Sequence, residues 1–232
     1  MGKRADGRGS EGALRPLTCE LSCLHRADGS ALWKSGSTHV MAAVYGPLAP
    51  QNMTKEKEHS IVSILIKSGK TGQATLESEW VEFLANVLSS CIDRSMYPRS
   101  VVEVVLQIIQ ADGSLLSCLL HASIAALMDA GVDLLYLPVA TTCLVKQDLS
   151  SIHLDPTSSE EEEANTTVIV LVNESNKPER ILGSHTIGPG LSLNSMLSCI
   201  QVACKACPAI VAFWRLAVEQ KVTRESQTLW SK

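Results

Sequence analysis

The sequence of 232 residues predicts a single domain of mixed α/β class, in which mixed sheets pack against helices. Segments with strand and helix periodicity alternate in the order strands, helix, strand, helix, strands, helix. Hydrophobic residues make up 45% of the chain and charged residues 19%, so a large core can form. No break in composition separates two cores. We therefore expect one domain over residues 1–232, with flexible tails at 1–12 and 222–232.

The N-terminal part of the chain has the pattern of a β-meander followed by one more strand. Asp28-Gly29 is typical of a hairpin turn, and Gly46-Pro47 is expected to end the third strand. The fourth strand is rich in β-branched and apolar residues. The predicted strands are 17–24, 30–34, 38–45 and 60–67.

The remaining elements follow from hydrophobic periodicity and from breaker residues. Pro98 separates the first helix from a strand, and Gly131 is the residue expected just past a helix end. The segment 158–163 is acidic and is expected to be a loop. The predicted helices are 77–92, 114–130 and 191–220, and the predicted strands are 100–110, 137–145, 153–154, 166–172 and 180–184.

The most informative local pattern is a buried strand that leads through Asp112-Gly113-Ser114 into an apolar helix. The first N–H groups of a helix are unpaired and the helix dipole favours negative charge, so such a turn can bind an anion such as phosphate. Ser114 could take part in such a site. Leu115 and Leu116 follow directly and cannot hold phosphate through their side chains. The sequence therefore predicts a degenerate phosphate site at residues 114–116.

A basic, glycine-containing segment at 67–72 is a second candidate site. Gly69-Lys70-Thr71 resembles the end of a P-loop, but that motif needs a glycine at position 64, where this chain has Ile64. Two interpretations stay open: a solvated turn, or a loop that contacts nucleic-acid phosphates through Lys67 and Lys70.

A dense set of carboxylates over 155–163 is the third candidate site. Mg²⁺ and Mn²⁺ prefer oxygen ligands, so Asp155, Glu160 and Glu161 are candidate metal ligands. Glu160 and Glu161 are also the candidate catalytic residues, because a divalent ion beside them could activate water for hydrolysis. The alternative is a solvated acidic loop.

Overall charge and composition narrow the classes of function. The net charge of −4 argues against a stand-alone basic nucleic-acid binder, and 4% aromatic residues argue against an extended base-stacking surface. The start of the chain lacks the apolar segment of a secretory signal, and no run of about 18 apolar residues occurs. We therefore expect no membrane span.

Short motifs in order along the chain resemble the RNase PH-like family. They follow one another at suitable separations over residues 4–220, nearly the whole chain. The resemblance is closest to the degenerate RNase PH-like ring subunits of the RNA exosome. The motifs are Arg4-Ala5-Asp6-Gly7-Arg8 with Leu14-Arg15-Pro16, Ala27-Asp28-Gly29-Ser30-Ala31, the pattern Gly36-x-Thr38-x-Val40-x-Ala42, Gln110-Ala111-Asp112-Gly113-Ser114, and Met128-Asp129-Ala130-Gly131-Val132.

The resemblance implies an RNase PH fold of two βαβ-type halves and a phosphate-dependent 3′ exoribonuclease ancestry. Active members grip inorganic phosphate with Ser or Thr and then Arg, at the positions of Leu115 and Leu116 here. The position of the family's second phosphate-binding arginine lies near Ser89 in this sequence. The family also has two aspartates. The position of the first lies at or beside Glu161, and the position of the second lies near Thr167. One carboxylate therefore survives while the phosphate-binding arginines are lost.

Two hypotheses about function follow from this resemblance. The first is a non-catalytic or weakly active exosome ring subunit that pairs with other RNase PH-like subunits and threads RNA in rRNA processing and RNA decay, in nucleus, nucleolus and cytoplasm. The second is a homodimeric nuclease that cleaves RNA or single-stranded DNA, by residual phosphorolysis or by Mg²⁺- or Mn²⁺-dependent hydrolysis through Glu160 and Glu161. The missing phosphate arginines favour the first, and the acidic cluster keeps the second open.

Overall fold

Two β-sheets enclose a layer of helices, which confirms the predicted mixed α/β class. The computed structural model describes residues 4, 6–9, 12–49, 61–67, 74–146, 151–163 and 165–230. The strands of this part of the chain are β1 (Leu17–Leu21), β2 (Gly29–Ser35), β3 (Thr38–Leu48), β4 (Ile61–Lys67), β5 (Val101–Gln110), β6 (Pro138–Lys146), β7 (Ile152–Leu154), β8 (Thr166–Glu174) and β9 (Ile181–Ile187). Its helices are α1 (Ala74–Cys91), α2 (Leu115–Asp129), α3 (Ser158–Glu161) and α4 (Leu193–Trp230).

The first sheet has five strands in the order β1-β2-β3-β5-β4. Strands β4 and β5 are parallel and are connected by α1, and the other pairs are antiparallel. The expectation that Gly46-Pro47 ends the third strand is wrong. Strand β3 lies beside the central strand β5, and pairing resumes after a register shift at Leu48 and Val101. Pairing with β5 therefore allows β3 to continue beyond Pro47.

The second sheet is antiparallel throughout, in the order β7-β6-β8-β9. Helix α2 contacts β2 and β3 of the first sheet and β6 of the second, and twelve of its fifteen residues are buried. The other side of the second sheet packs against α4 around Cys143, Leu171 and Ala203. Because α2 lies between the sheets, its first turn is held at a fixed position in the core.

Helix α4 is longer than the predicted helix 191–220 and continues to Trp230. Much of the segment 222–232, expected to be a flexible tail, is therefore helical. The amphipathic pattern fades after residue 220, but Lys221 ion-pairs with Asp129 of α2 at 2.6 Å and fixes this part of the helix.

Helix α4 is also long and apolar enough, by length and composition, to cross a membrane, although no span was expected from the sequence. Within Leu193–Gln227 an 18-residue window has a mean hydropathy of 1.7, and 28% of that window is buried in the fold. A helix that supplies core residues can pass the same test, and Cys207, Ile210 and Trp214 of α4 all belong to the main core.

Candidate anion site and acidic turn

The turn between β5 and α2 has a left-handed backbone at two successive residues. Gly113 has a φ of +72° and Ser114 a φ of +50°. A Cβ atom on Gly113 would lie 2.4 Å from the carbonyl oxygen of Pro156, so only glycine fits there. The Ser114 hydroxyl donates to the same Pro156 carbonyl at 3.0 Å. The turn is therefore fastened to the segment that carries the acidic residues.

Glu161 occupies the anion position at the start of α2. Its Oε1 accepts a hydrogen bond from the backbone N–H of Ser114 at 2.7 Å. An N–H group at a helix N-terminus favours a negative partner, and here the chain supplies that partner itself. Burial raises the pKa of the Glu161 carboxyl, and the nearby Asp155 and Asp112 act in the same direction. The predicted degenerate phosphate site thus holds a carboxylate of the protein.

The two leucines that follow the turn belong to the hydrophobic core. Leu116 is 4% exposed, and Leu115 is half-buried and packs against the same cluster. Both lie in the first turn of α2, where the sequence placed them. Neither side chain can donate a hydrogen bond to a phosphate oxygen.

Glu160 is a buried ion-pair partner, which argues against its predicted catalytic and metal-binding roles. Its two carboxylate oxygens accept from Nε and Nη2 of Arg4 at 2.9 and 2.7 Å, and Oε2 also accepts the Thr157 N–H at 3.0 Å. These hydrogen bonds, together with the positive charges of Arg4 and Arg8, outweigh burial and lower the pKa of Glu160 to about 2. The carboxylate is ionised, but both of its oxygens already accept hydrogen bonds from the protein.

Asp155 is engaged in the same way and does not join Glu160 and Glu161 in a metal site. Arg15 binds it at 2.6 Å through Nη2 and through its backbone N–H at 3.0 Å, and the Ser35 hydroxyl donates at 3.1 Å. Arg15 outweighs the effect of burial, so the pKa of Asp155 is lowered. Across the residues that the structure describes, no group of three or more His, Cys, Asp or Glu side chains could hold a metal ion.

The three carboxylates are therefore held apart by three different partners: Arg4, Arg15 and the Ser114 N–H. This arrangement argues against the predicted metal site at Asp155, Glu160 and Glu161. A divalent cation does not fit this donor set, since two of the three carboxylates would first have to leave a buried arginine.

The N-terminal arginines are part of the site, although the sequence analysis identified them only as members of the family motif. Arg4 donates to the Leu154 carbonyl at 2.7 Å, and Arg8 donates to the Asp155 carbonyl at 2.9 Å. Arg4 is 7% exposed. Residues 4 and 8 were expected to lie in a flexible tail, but their guanidinium groups are fixed against the strand β7 and the turn that follows it.

The acidic segment forms a helical turn, α3, instead of the predicted loop. Glu160 lies three residues after Thr157, and its carboxylate accepts the Thr157 N–H. This Thr-x-x-Glu spacing is a capping-box signal, and it could have been recognised from the sequence. The hydroxyl and the N–H of Ser158 both donate to Asp112 Oδ1, at 2.9 and 3.3 Å, so the two turns cap each other.

The remaining predicted residues lie away from this turn. Lys67 is exposed at the end of β4, beside Gln107 in the strand register. Lys70 lies outside the described residues. Ser89 is half-buried on α1, and the Thr167 hydroxyl donates to the Pro189 carbonyl at 2.6 Å. The structure therefore brings Ser114 and Glu161 together and leaves Lys67 apart from them.

The fold and this strand–turn–helix define an RNase PH-type protein. Rice (Oryza sativa) Rrp46 has the same fold, with a TM-score of 0.82 and 34% identity, over 91% of this chain and 98% of that chain. The fold is shared with the Archaeoglobus fulgidus exosome with RNA bound to the active site, at a TM-score of 0.78 and 20% identity over 91% of this chain and 92% of that chain.

Sequence comparison gives the family. The model for the 3′ exoribonuclease family, domain 1 (RNase PH) matches residues 13–133, and the chain belongs to this family. The exosome complex exonuclease RRP46 homolog of Arabidopsis thaliana is 33% identical over 238 residues, which cover 95% of this chain and 98% of the relative. The exosome complex component RRP46 of Saccharomyces cerevisiae is 30% identical over 62% of this chain and 68% of its own length.

Proposed function

We propose that this chain is an RRP46-type subunit of the RNA exosome ring, the subunit called exosome component five, and that it has a structural role with little or no phosphorolytic activity. The observation that carries this proposal is the Glu161 carboxylate on the Ser114 N–H at 2.7 Å. Active members of the family bind inorganic phosphate at this turn. A resident carboxylate repels phosphate from it.

The surrounding residues support a loss of phosphate binding. The side chains of Leu115 and Leu116 supply no donors, and the nearby cation Arg15 is already bound to Asp155 and to the carbonyls of Asp112 and Gly113. Removing one donor from a preorganised anion site costs about 10²–10³ in rate. Here two side-chain donors are replaced by leucine side chains, and the surviving carboxylate, Glu161, occupies the backbone N–H of Ser114.

The expected partners follow from the proposed place in the ring. They are other RNase PH-like exosome subunits and the RNA that the ring threads during rRNA maturation and RNA decay, in the nucleus, the nucleolus and the cytoplasm. When those subunits are absent, we expect a homodimer. A basic loop at Lys67 and Lys70 would contact RNA or single-stranded DNA through phosphates, without base readout.

A homodimeric nuclease remains the second candidate function, and the structure reduces its candidate catalytic residues to Glu161. Glu161 is the one predicted carboxylate that is not bound to an arginine, and the pKa of its carboxyl is raised, as suits a group that exchanges protons. Glu160 has no free oxygen with which to assist it. Any hydrolysis would therefore depend on Glu161, and Mg²⁺ or Mn²⁺ would need ligands from outside this cluster.

Reconstitution and a rate measurement together test the proposal. Co-expression with the other RNase PH-like exosome subunits should give a six-membered ring that contains one copy of this chain per assembly, measured by native mass spectrometry. The purified chain alone should release no nucleoside diphosphates from RNA in the presence of phosphate. Failure to enter the ring, or robust phosphate-dependent release by the isolated chain, would contradict the proposal.

A further inference from the structure

Two buried thiols meet where helix α4 packs on the second sheet. Cys143 lies in β6 and Cys199 lies near the start of α4, and both residues are fully buried. The Cys143 sulfur is 4.0 Å from the backbone carbonyl oxygen of Cys199, and the two thiols are hydrogen-bonded to each other. The two sulfurs therefore need only move from hydrogen-bonding distance to bonding distance to form a disulfide.

The hydrogen bond between the thiols makes the two sulfurs chemically different. The Cys143 S–H group donates to the Cys199 sulfur, which lowers the pKa of Cys199 and raises the pKa of Cys143. Burial raises the pKa of each of the six other cysteines of the chain. Because the thiolate is the reactive form of cysteine, Cys199 is the expected nucleophile and Cys143 is the second thiol beside it.

A cavity of about 290 Å³ lies next to the thiol pair, at the start of α4. Val145, which lines it, is two residues beyond Cys143 on the same face of β6 and belongs to the same core cluster. Ser195, which also lines it, is about one helical turn before Cys199. The polar part of the lining includes Lys146, Thr167 and Ser192. A small polar oxidant in this cavity is therefore separated from the two sulfurs by a single layer of side chains.

We propose that Cys143 and Cys199 form a redox modification site, which a peroxide that enters through the neighbouring cavity converts into a disulfide between α4 and the second sheet. The oxidised chain would hold the start of α4 covalently against β6. This site is independent of the ring assignment proposed above.

The reaction balances with hydrogen peroxide as the oxidant. The Cys199 thiolate attacks one peroxide oxygen, the O–O bond breaks, and the departing hydroxide takes up the proton that Cys199 lost, which gives water and a sulfenic acid. The Cys143 sulfur then attacks the Cys199 sulfur, the S–O bond breaks, and hydroxide leaves as water with the Cys143 proton. Two thiols and one peroxide thus give one disulfide and two waters, and the sulfurs supply both electrons.

Peptide mapping after a short treatment of the full chain with hydrogen peroxide tests the site. With free thiols blocked by N-ethylmaleimide, the treated wild type should carry two fewer maleimide groups than the untreated protein. Digestion with trypsin and chymotrypsin should give a linked peptide that contains Cys143 and Cys199 and separates on reduction. Cys199→Ala should abolish the linkage. Cys204→Ala is the matched control, because Cys204 lies on the same helix and is less buried; it should leave the rate of linkage unchanged.

The disulfide should also stabilise the fold. A bridge between residues 56 positions apart restricts the unfolded chain, so oxidation should raise the urea midpoint of the wild type by about 1 M. The increase should disappear on reduction and should be absent in Cys199→Ala.

Ser195→Leu tests the cavity without changing either thiol. A leucine at this position fills the space beside Val145 and should slow the linkage at least about tenfold, because exchange and oxidation rates depend on access to the sulfur. Ser198→Leu is the control, since Ser198 is exposed on the same helix and does not line the cavity. It should leave the rate unchanged.

Each result decides either the site or its route. A treated wild type that keeps all eight thiols free, or that links a different pair of cysteines, overturns the site. A Ser195→Leu variant that forms the linkage as fast as the wild type overturns the cavity as the route of the oxidant. Circular dichroism before treatment shows which variants are folded, and the wild-type peptide map and Ser195→Leu still decide the matter if Cys199→Ala does not fold.

Discussion

His121 lies inside the protein between two indole rings, and its protonation should destabilise the fold in mild acid. Its ring centroid is 5.0 Å from that of Trp33 and 5.3 Å from that of Trp214, and the residue is 5% exposed. Nε2 accepts the Ala140 N–H at 3.2 Å. The ring is therefore neutral, and a proton on Nε2 would face another N–H donor.

The size of the effect follows from the shift in pKa. Burial lowers the pKa of His121 to about 4, from an ordinary value of 6.5. Because the folded-state pKa is the lower one, the stabilisation from the neutral ring is fully present above pH 6.5 and is lost as the pH falls from 6.5 towards 4. At about 1.4 kcal/mol for each pH unit, the free energy of unfolding should fall by roughly 3 kcal/mol over this pH range.

Urea unfolding at fixed protein concentration, followed by tryptophan fluorescence, measures this loss. His121→Gln keeps an acceptor for the Ala140 N–H but does not titrate, although it loses ring packing and should be less stable at pH 7. Between pH 7 and pH 4 the wild type should lose about 3 kcal/mol more of its free energy of unfolding than the variant. Other titrating groups cancel in the difference. If the free energy of unfolding falls equally with pH in the wild type and in His121→Gln, His121 is not the group responsible.

Three further outcomes are expected from the acidic turn and the basic loop. Removing one partner of a buried ion pair leaves the other charge unpaired, so Arg4→Ala and Glu160→Gln should each lower the free energy of unfolding by about 3 kcal/mol, measured by urea denaturation. Glu161→Gln keeps a hydrogen-bond acceptor for a backbone N–H and should lower the free energy of unfolding by about 1 kcal/mol or less. Equal losses for Glu160→Gln and Glu161→Gln would contradict the assignment of Glu160 to a buried ion pair. In nuclease assays with Mg²⁺ or Mn²⁺, any cleavage of RNA or single-stranded DNA should be lost in Glu161→Gln, and cleavage that persists there would exclude Glu161 as its catalyst. Reversing the charges of Lys67 and Lys70 should weaken RNA binding equally across sequences and flatten its salt dependence by about two units of slope, whereas unchanged titrations would place the RNA contact elsewhere.

Local patterns in the sequence predicted the elements well where one face is buried. The β-branched run of β4 and the apolar run of α2 were assigned within a few residues, because both segments carry their own periodicity. The end of β3 was misplaced, since the neighbouring strand outweighs the breaker residues Gly46 and Pro47. The length of α4 was underestimated because the segment after residue 220 is mostly polar, and the Lys221–Asp129 ion pair that anchors it is a tertiary contact.

The candidate site was only partly predictable. Ser114 and Glu161 were both identified, but the hydrogen bond between them depends on a contact across 47 positions. Glu160 and Asp155 resembled metal ligands because a run of carboxylates looks the same whether it faces solvent or arginines. Their partners, Arg4 and Arg15, lie at sequence separations of 156 and 140, so no local sequence pattern identifies these ion pairs.

The pairing of Arg4 with Glu160 also has a consequence for how the chain reaches its final form. During synthesis Arg4 leaves the ribosome early, whereas Glu160 is added 156 residues later. The first sheet can be largely assembled before then, but the acidic turn cannot close until the N-terminal arginines return to it. A polypeptide fused directly to the N-terminus competes for the space around this late contact. Fusion after α4 leaves the contact free, so that terminus is the better place for a tag.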